Sequence, residues 1–189
     1  MSEAIVQTLL GVALVLYPLA VYFGLKTGVH AWLGVGLIGI GILRLWFAGR
    51  RIGQVTPNTM IALVAMCFGV AVLIVGSGDM LLYYPVVMNV GMLSIFAVSL
   101  IFPPSLIERF ASIREPDLPP AAIRYCRRVT LVWCVFLAGN GAVAVWTVLA
   151  GDRHVWLFYN GFLSYVLMGV LFAGEYAVRS ILHSRHRSA

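Results

Sequence analysis

Apolar residues in this chain are gathered into six long stretches that are separated by short polar breaks. The stretches are Ala4–Leu25, His30–Ala48, Asn58–Gly76, Met80–Phe102, Val129–Ala150 and Val155–Val178. Each is close to the length of about 20 helical residues that crosses a hydrocarbon layer. Helices satisfy every backbone polar group within one segment, as the interior of a bilayer requires. The pattern therefore predicts an all-α fold: a polytopic integral membrane helical bundle with six transmembrane helices.

The first stretch leaves an alternative open. Pro18 interrupts it, and a re-entrant first segment would reduce the bundle to five full spans. Glu3 stands where a signal peptide carries basic residues, and no A-x-A cleavage site follows, so we interpret the segment as a retained membrane helix. Three connections between the stretches are short, which predicts that the helices they join pair as hairpins. They are Lys26–Val29, Ser77–Asp79 and Gly151–His154.

The exceptional connection is the polar, proline-containing segment 103–128. Ser105 with Glu108 three residues later has the capping-box pattern of a helix start. Apolar residues then recur at helical spacing, so Ser105–Arg114 is predicted to be a short amphipathic helix along the inner headgroup layer. A further helix is predicted to start near Ala121 and to run unbroken into the fifth span. We treat residues 1–189 as a single membrane domain that carries this cytoplasmic loop.

Charge fixes a predicted orientation. The chain has 13 lysines and arginines and a net charge of +6. Only Lys26 and Arg153 fall in loops on one side of the predicted bundle. All others fall on the opposite side or in the adjoining helix ends: Arg44, Arg50, Arg51, Arg109, Arg114, Arg124, Arg127, Arg128, Arg179, Arg185 and Arg187. Because basic loops resist translocation, this predicts a multi-pass membrane protein with both termini in the cytoplasm.

Composition excludes several classes of function. The chain is 61% hydrophobic and 11% charged, with a mean hydropathy of +0.96, values outside the range of soluble domains. Its basic charge is explained by orientation, so we expect the lipid bilayer and anionic headgroups as partners and no nucleic acid. Cys67, Cys126 and Cys134 show neither CxxC spacing nor a matched pair on the outer side, which predicts no disulfide and no zinc site.

Residues typical of catalysis are poorly placed for it. His30, His154, His183 and His186 lie at loops or in the tail, and the aspartates lie in turns or loops. We find no Ser–His pair or paired aspartates within a span, so no catalytic residue, metal or cofactor is predicted, and an enzyme is the less favoured reading. Gly34-x-Gly36-x-x-Gly39 matches a dinucleotide fingerprint by letter only. Inside an apolar span, such glycines instead indicate close helix packing, with the second helix sandwiched between two others.

Two sets of residues are candidates for specific contacts. The first is an interaction surface on the cytoplasmic side: Glu108, Arg109, Arg114, Arg124, Arg127, Arg128, Glu175 and Arg179. Within it, Glu175 and Arg179 are spaced for an ion pair on one helix face. The second set is Asn89, Asn140 and Asn160 inside the spans, which either hold helices together or line an intramembrane polar path.

Several motifs in order resemble the bacterial intracellular septation protein A family. They are Pro18-Leu19-x-x-Tyr22-Phe23, Arg50-Arg51, Ser105-Leu106-Ile107-Glu108-Arg109, Leu118-Pro119, Trp133-Cys134-Val135-Phe136 with Gly141, Trp156-x-x-Tyr159-x-x-Phe162, and Gly174-x-Tyr176-x-x-Arg179. The ending Leu171–Arg179 more closely resembles a branch of small proteobacterial membrane proteins found with aryl-polyene and fatty-acid-like synthesis genes. The glycine-rich first half, with few charges, departs from true septation proteins.

The resemblance implies a location in the bacterial inner (plasma) membrane and a supporting role, and it carries no catalytic residues with it. We therefore expect a non-enzymatic inner-membrane protein that supports cell-envelope, division or aryl-polyene/lipid synthesis, by contact of its cytoplasmic face with a membrane or cytoplasmic protein. The alternative is a small lipid or polyene carrier or flippase that uses the three asparagines. A membrane-bound enzyme of acyl metabolism is the third reading.

Overall fold

The fold is helical throughout the part of the chain that the computed structural model describes: residues 16–27, 30–47, 57–113 and 115–187, with the isolated Leu9 and Val12. The α-helices, numbered here in chain order, are α1 (Tyr17–Thr27), α2 (His30–Phe47), α3 (Pro57–Val75), α4 (Tyr84–Ile101), α5 (Leu106–Ser112), α6 (Pro120–Leu149), α7 (Arg153–Phe158) and α8 (Ser164–Arg187). A 3-10 helix, Gly78–Tyr83, precedes α4, and a π-helical turn, Tyr159–Leu163, joins α7 to α8.

Three helical segments are long and apolar enough to cross a membrane: Gly78–Ile101, Pro120–Leu149 and Arg153–Arg179. Two shorter apolar helices, Ala31–Trp46 and Thr59–Val75, coincide with the second and third predicted spans. The first predicted span, Ala4–Leu25, lies partly outside the described residues, which form a helix from Tyr17. The all-helical fold is thus confirmed, and three of the six predicted spans meet the length criterion.

The starts of two helices are set by capping residues that could be identified in the sequence. At α5, the Ser105 side chain and the Glu108 side chain form the predicted capping box, and Glu108 Oε2 accepts a hydrogen bond from the Ser105 amide at 3.1 Å. Helix α6 begins at Pro120, where a missing amide hydrogen costs nothing, and runs unbroken for 30 residues. The two predicted helices of the long loop are therefore confirmed, the first of them over Leu106–Ser112.

Glycines bring α2 and α3 into close contact along one face of α2. A Cβ built on Gly69 would lie 2.7 Å from the carbonyl oxygen of Gly34, and one built on Gly41 would collide with Met66. The opposite face is different, because a Cβ on Gly36 or Gly39 meets no described atom within 4 Å. One half of the predicted sandwich is confirmed. The second half has no partner among the described residues.

Two apolar clusters hold the bundle together. One joins α1, α2, α3 and the 3-10 segment around Leu37, Leu81 and Trp156, and Trp156 Nε1 donates to the Leu82 carbonyl at 2.9 Å. The other joins α4, α5 and α6 around Phe96 and Trp133. The second cluster extends to Met168 and Leu171 of α8. It therefore lies directly beside the segment 103–128 and positions the surfaces described next.

Candidate functional site

The three asparagines of the predicted polar path occupy the interior of the bundle. Asn140 Nδ2 donates to Asn89 Oδ1 at 2.9 Å, and the Tyr159 hydroxyl donates to Asn140 Oδ1 at 2.9 Å. Asn160 belongs to a separate contact, where its Nδ2 donates to Thr147 Oγ1 and to the Trp156 carbonyl, both at 3.0 Å. The amides thus join α4, α6 and the π-helical turn by hydrogen bonds, as the packing reading of these residues expects.

A cavity of about 170 Å³ nevertheless borders all three asparagines. Its walls include Pro18, Pro85 and Ser164, so α1, α4 and α8 contribute to it. A cavity of this size has room for several water molecules beside the asparagine amides. The structure therefore brings the three residues of the predicted path to one cavity, while their amides are already engaged with neighbouring groups.

Helix α5 is fixed to the bundle by an interaction that the sequence did not indicate. The Ser99 hydroxyl donates to the Phe96 carbonyl at 2.7 Å and accepts from the Leu106 amide at 2.9 Å. It thereby satisfies one of the amides that a helix start leaves without an intrahelical partner. Ser99 and Leu106 are both buried. The short helix is consequently docked on α4 at a defined position.

Beside α5 lies a cavity of about 500 Å³ that is bordered by predicted site residues, which we call the loop cleft. Three elements and the segment before α6 enclose it. Its lining comprises Ile107, Ala111, Glu115, Leu118, Pro119, Ala121, Ala122, Tyr125, Cys126, Glu175 and Arg179. The cleft is thus mostly apolar, with acidic and basic groups added from the loop and from α8. Such a lining suits binding of an amphipathic molecule.

Glu175 and Arg179 line this cleft without forming the ion pair that their spacing predicts. In the described part of the chain, the side chains that approach within salt-bridge distance are Arg153 and Asp79, at 3.4 Å, and not these two. Glu175 Oε2 instead accepts a hydrogen bond from Trp133 Nε1 at 3.4 Å. The expected pair is therefore wrong. The i,i+4 spacing predicts Arg179 as the partner of the Glu175 carboxylate, but the partner is the Trp133 indole on α6.

The remaining residues of the predicted surface divide into two groups. Arg124, Arg127 and Arg128 are exposed on the first turns of α6, as an interaction surface requires. Glu108 and Arg109 are engaged locally, since Glu108 closes the capping box and Arg109 Nε donates to the Pro104 carbonyl at 3.0 Å. Arg114 lies outside the described residues, as do Arg50 and Arg51.

Two residues near these sites were missed or misplaced by sequence reasoning. Trp133 was assigned only to a family motif, yet its indole contacts Phe96, Phe136 and Phe172 as well as Glu175. Arg44 was grouped with the cytoplasmic arginines, but it is only 8% exposed. The available signal was its position within an apolar stretch, where an ionisable residue is a functional candidate.

Within the described residues, no group of three or more His, Cys, Asp or Glu side chains is arranged to hold a metal ion. Known proteins add no assignment: no family model matches the chain, and it finds no match among the curated proteins or the solved structures. The arrangement of the loop cleft and its neighbouring arginines is consequently the basis for a functional interpretation.

Proposed function

We propose that this chain is a non-enzymatic inner-membrane protein with six spans and both termini in the cytoplasm. It supports cell-envelope, division or aryl-polyene/lipid synthesis through contacts made by its cytoplasmic face, as the resemblance to septation protein A and the aryl-polyene-associated branch implies. One observation carries the proposal above the others. The docked helix α5, the loop cleft and three exposed arginines of α6 form a continuous, built surface on the basic end of the bundle.

Charge and rigidity support this assignment. The exposed Arg124, Arg127 and Arg128 attract acidic protein surfaces and anionic headgroups alike. Phe110 on α5 and Ile113 directly after it are exposed, at 55% and 79%, so this segment presents apolar groups beside the charges. A partner that meets such a surface is recognised by shape and charge together, without the loop having to order first.

Photo-crosslinking in cells tests the proposal at this surface. A crosslinking side chain at Ile113 should give a discrete adduct with an enzyme of envelope, division or polyene synthesis. Replacement of Arg124, Arg127 and Arg128 by glutamine should abolish the adduct and the chain's activity in cells. Arg153→Gln, at the opposite end of the bundle, is the matched control. If the adduct and the activity persist in the triple variant, the arginines of α6 are not part of the partner-binding surface.

A second candidate function rests on the intramembrane cavity of about 170 Å³ beside Asn89, Asn140 and Asn160. A lipid or polyene carrier needs polar groups along an interhelical path, and these amides border such a space. The purified full chain in vesicles would then move a labelled lipid or polyene between leaflets, and Asn140→Leu would abolish that movement. Absence of movement by the unmodified protein would reject the carrier.

A further inference from the structure

The walls and the charged groups of the loop cleft are segregated. Ile107, Ala111, Leu118 and Ala122 supply apolar surface from α5, the loop and α6. The charged groups come from Glu115 in the loop and from α8. A ligand that fills the cleft must therefore have a hydrocarbon portion and a polar portion. A volume of about 500 Å³ lies within the range of small-molecule sites, roughly 300–1,000 Å³.

The cleft is lined by both acidic and basic side chains that do not form ion pairs with each other. Glu175 and Arg179 lie about 6 Å apart along α8, four residues at 1.5 Å each. They do not pair with each other, because Trp133 Nε1 holds the Glu175 carboxylate from α6. Glu115 adds a second carboxylate to the lining. The cleft thus presents a cation-binding and an anion-binding group side by side.

Such an arrangement complements a zwitterion better than a simple anion. Two carboxylates repel an anionic headgroup that lacks a compensating cation, whereas an ammonium group two carbons from a phosphate meets both. The exposed rings of Phe172 and Tyr176 lie on α8 next to these residues, three positions before Glu175 and Arg179 respectively. Tyrosine is typical of the headgroup level of a bilayer, so Tyr176 favours membrane lipid as the source of the ligand.

We propose that the loop cleft binds a phospholipid with a primary-ammonium headgroup, of the phosphoethanolamine type. Arg179 binds the phosphate, Glu175 and Glu115 bind the ammonium, and one acyl chain lies along Ile107 and Leu118. The inference rests on the proposed function, since it requires this end of the bundle to face the inner leaflet. It adds a specific lipid to the surface that meets the protein partner.

Lipid retention by the purified full chain tests the proposal. The protein is exchanged into vesicles of phosphoethanolamine, phosphoglycerol or phosphocholine lipid with identical acyl chains, then released and examined by native mass spectrometry. Phosphoethanolamine lipid should be retained about fivefold more than phosphoglycerol lipid, the factor that corresponds to roughly 1 kcal/mol for one partly exposed ion pair. Phosphocholine lipid, whose ammonium has no hydrogen-bond donors, should lie between them.

Variants of similar shape test the separate roles proposed for Glu175 and Arg179. Glu175→Gln still accepts from Trp133, so the fold is preserved, and it should remove most of the preference for the ammonium headgroup. Arg179→Gln should weaken retention of all three lipids. The matched controls are Asp117→Asn in the same loop and Arg153→Gln at the other end of the bundle, neither of which lines the cleft. Both should behave as the unmodified chain, and melting temperatures should confirm that every variant is folded.

Equal retention of the three headgroups, or a preference that survives Glu175→Gln together with Glu115→Gln, would overturn the proposal. These results are separable from failure of the proposed function. Loss of lipid preference with an intact, arginine-dependent adduct at Ile113 rejects the lipid site alone. Retained lipid preference without any adduct rejects the partner surface and leaves a lipid-binding protein.

Discussion

Asn140 is the central residue of a hydrogen-bonded group that joins three helical segments. Its amide donates to Asn89 and accepts from Tyr159. Asn140→Leu keeps a similar volume but leaves both partners unsatisfied in an apolar bundle. We expect a loss of about 1–2 kcal/mol in the free energy of unfolding, seen as a lower melting temperature in detergent. Tyr159→Phe, which removes one donor, should have the smaller effect, and an unchanged melting temperature for Asn140→Leu would contradict the network.

The sequence predicted that these amides lie inside the bundle, but it could not predict their partners. Asn89 and Asn140 are 51 positions apart, and their contact depends on how α4 and α6 rotate about their axes. Helical periodicity identifies faces without fixing that rotation. For the same reason, Trp133 could not be identified as the partner of Glu175. Local spacing favoured Arg179, and a residue 42 positions away is the partner instead.

Asp152 caps α7 and gives this connection a predictable response to pH. Its carboxylate accepts from the amides of His154 at 2.7 Å and Val155 at 3.2 Å. These amides, with a smaller contribution from the nearby His154 ring, lower the pKa of Asp152 below its ordinary value. The stabilisation is complete above pH of about 3.9, the value in the unfolded chain, and is lost as pH falls through the lowered pKa.

Hydrogen exchange at the His154 and Val155 amides measures this cap. Protection should fall as the pH is lowered below about 4, once the intrinsic pH dependence of exchange is removed. Asp152→Asn, which keeps an acceptor oxygen but does not titrate, is the control and should flatten the response. A pH response that is the same in both proteins would rule out the carboxylate as its source.

Glycines allow α2 and α3 to pack closely against each other. A substitution at this contact and one on the opposite face of α2 should therefore have different effects on stability. Gly69→Ala places a methyl group 2.7 Å from the Gly34 carbonyl, a backbone atom that moves only if the helices separate. We expect it to destabilise the protein by about 1–3 kcal/mol. Gly36→Ala meets no described atom within 4 Å and should be neutral or stabilising by up to about 1 kcal/mol. Thermal unfolding of the two variants compares them, and equal effects would contradict the glycine contact.

The Ser99 hydroxyl accepts a hydrogen bond from the first amide of α5, so Ser99→Ala should loosen the docking of this helix. The substitution leaves the Leu106 amide without its acceptor in a buried position, a loss of about 1–3 kcal/mol for local docking. Amides 106–112 should exchange faster, and proteolysis in the segment 103–119 should increase. Ser94→Ala is the control on the same helix, because the Ser94 hydroxyl is exposed and bonds only to the Val90 carbonyl. Unchanged protection in Ser99→Ala would show that apolar packing alone docks α5.

At this scale the sequence was informative wherever a local rule applied. Ser105 and Glu108 predicted the start of α5, and the apolar stretches predicted α2 and α3 to within one residue at both ends. The π-helical turn Tyr159–Leu163 was not predicted, because a single widened turn leaves the apolar pattern of the span unchanged. The loop cleft could not be predicted from the sequence either. Its volume depends on how far α8 lies from α6, which no local pattern encodes.

The distribution of charge is a property of the whole molecule and accounts for its predicted orientation. At one end, Arg153 and Asp79 form an exposed ion pair between two connections, so the charge of Arg153 is partly neutralised. At the other end, the α6 arginines are exposed and recur within two turns. Because orientation responds to basic residues in short connections, the second end is the one expected to stay in the cytoplasm.

Cysteine labelling in intact cells tests that orientation directly. Single cysteines at Ser77 and Gly151, on a background with Cys67, Cys126 and Cys134 replaced by serine or alanine, should react with a membrane-impermeant maleimide from outside. A cysteine at Glu115 should react only after the inner membrane is permeabilised. Replacing Arg124, Arg127 and Arg128 by glutamine should weaken this orientation and increase outside labelling at position 115, since these side chains resist translocation. Labelling of Glu115→Cys in intact cells, without those replacements, would invert the topology and place the loop cleft in the outer leaflet.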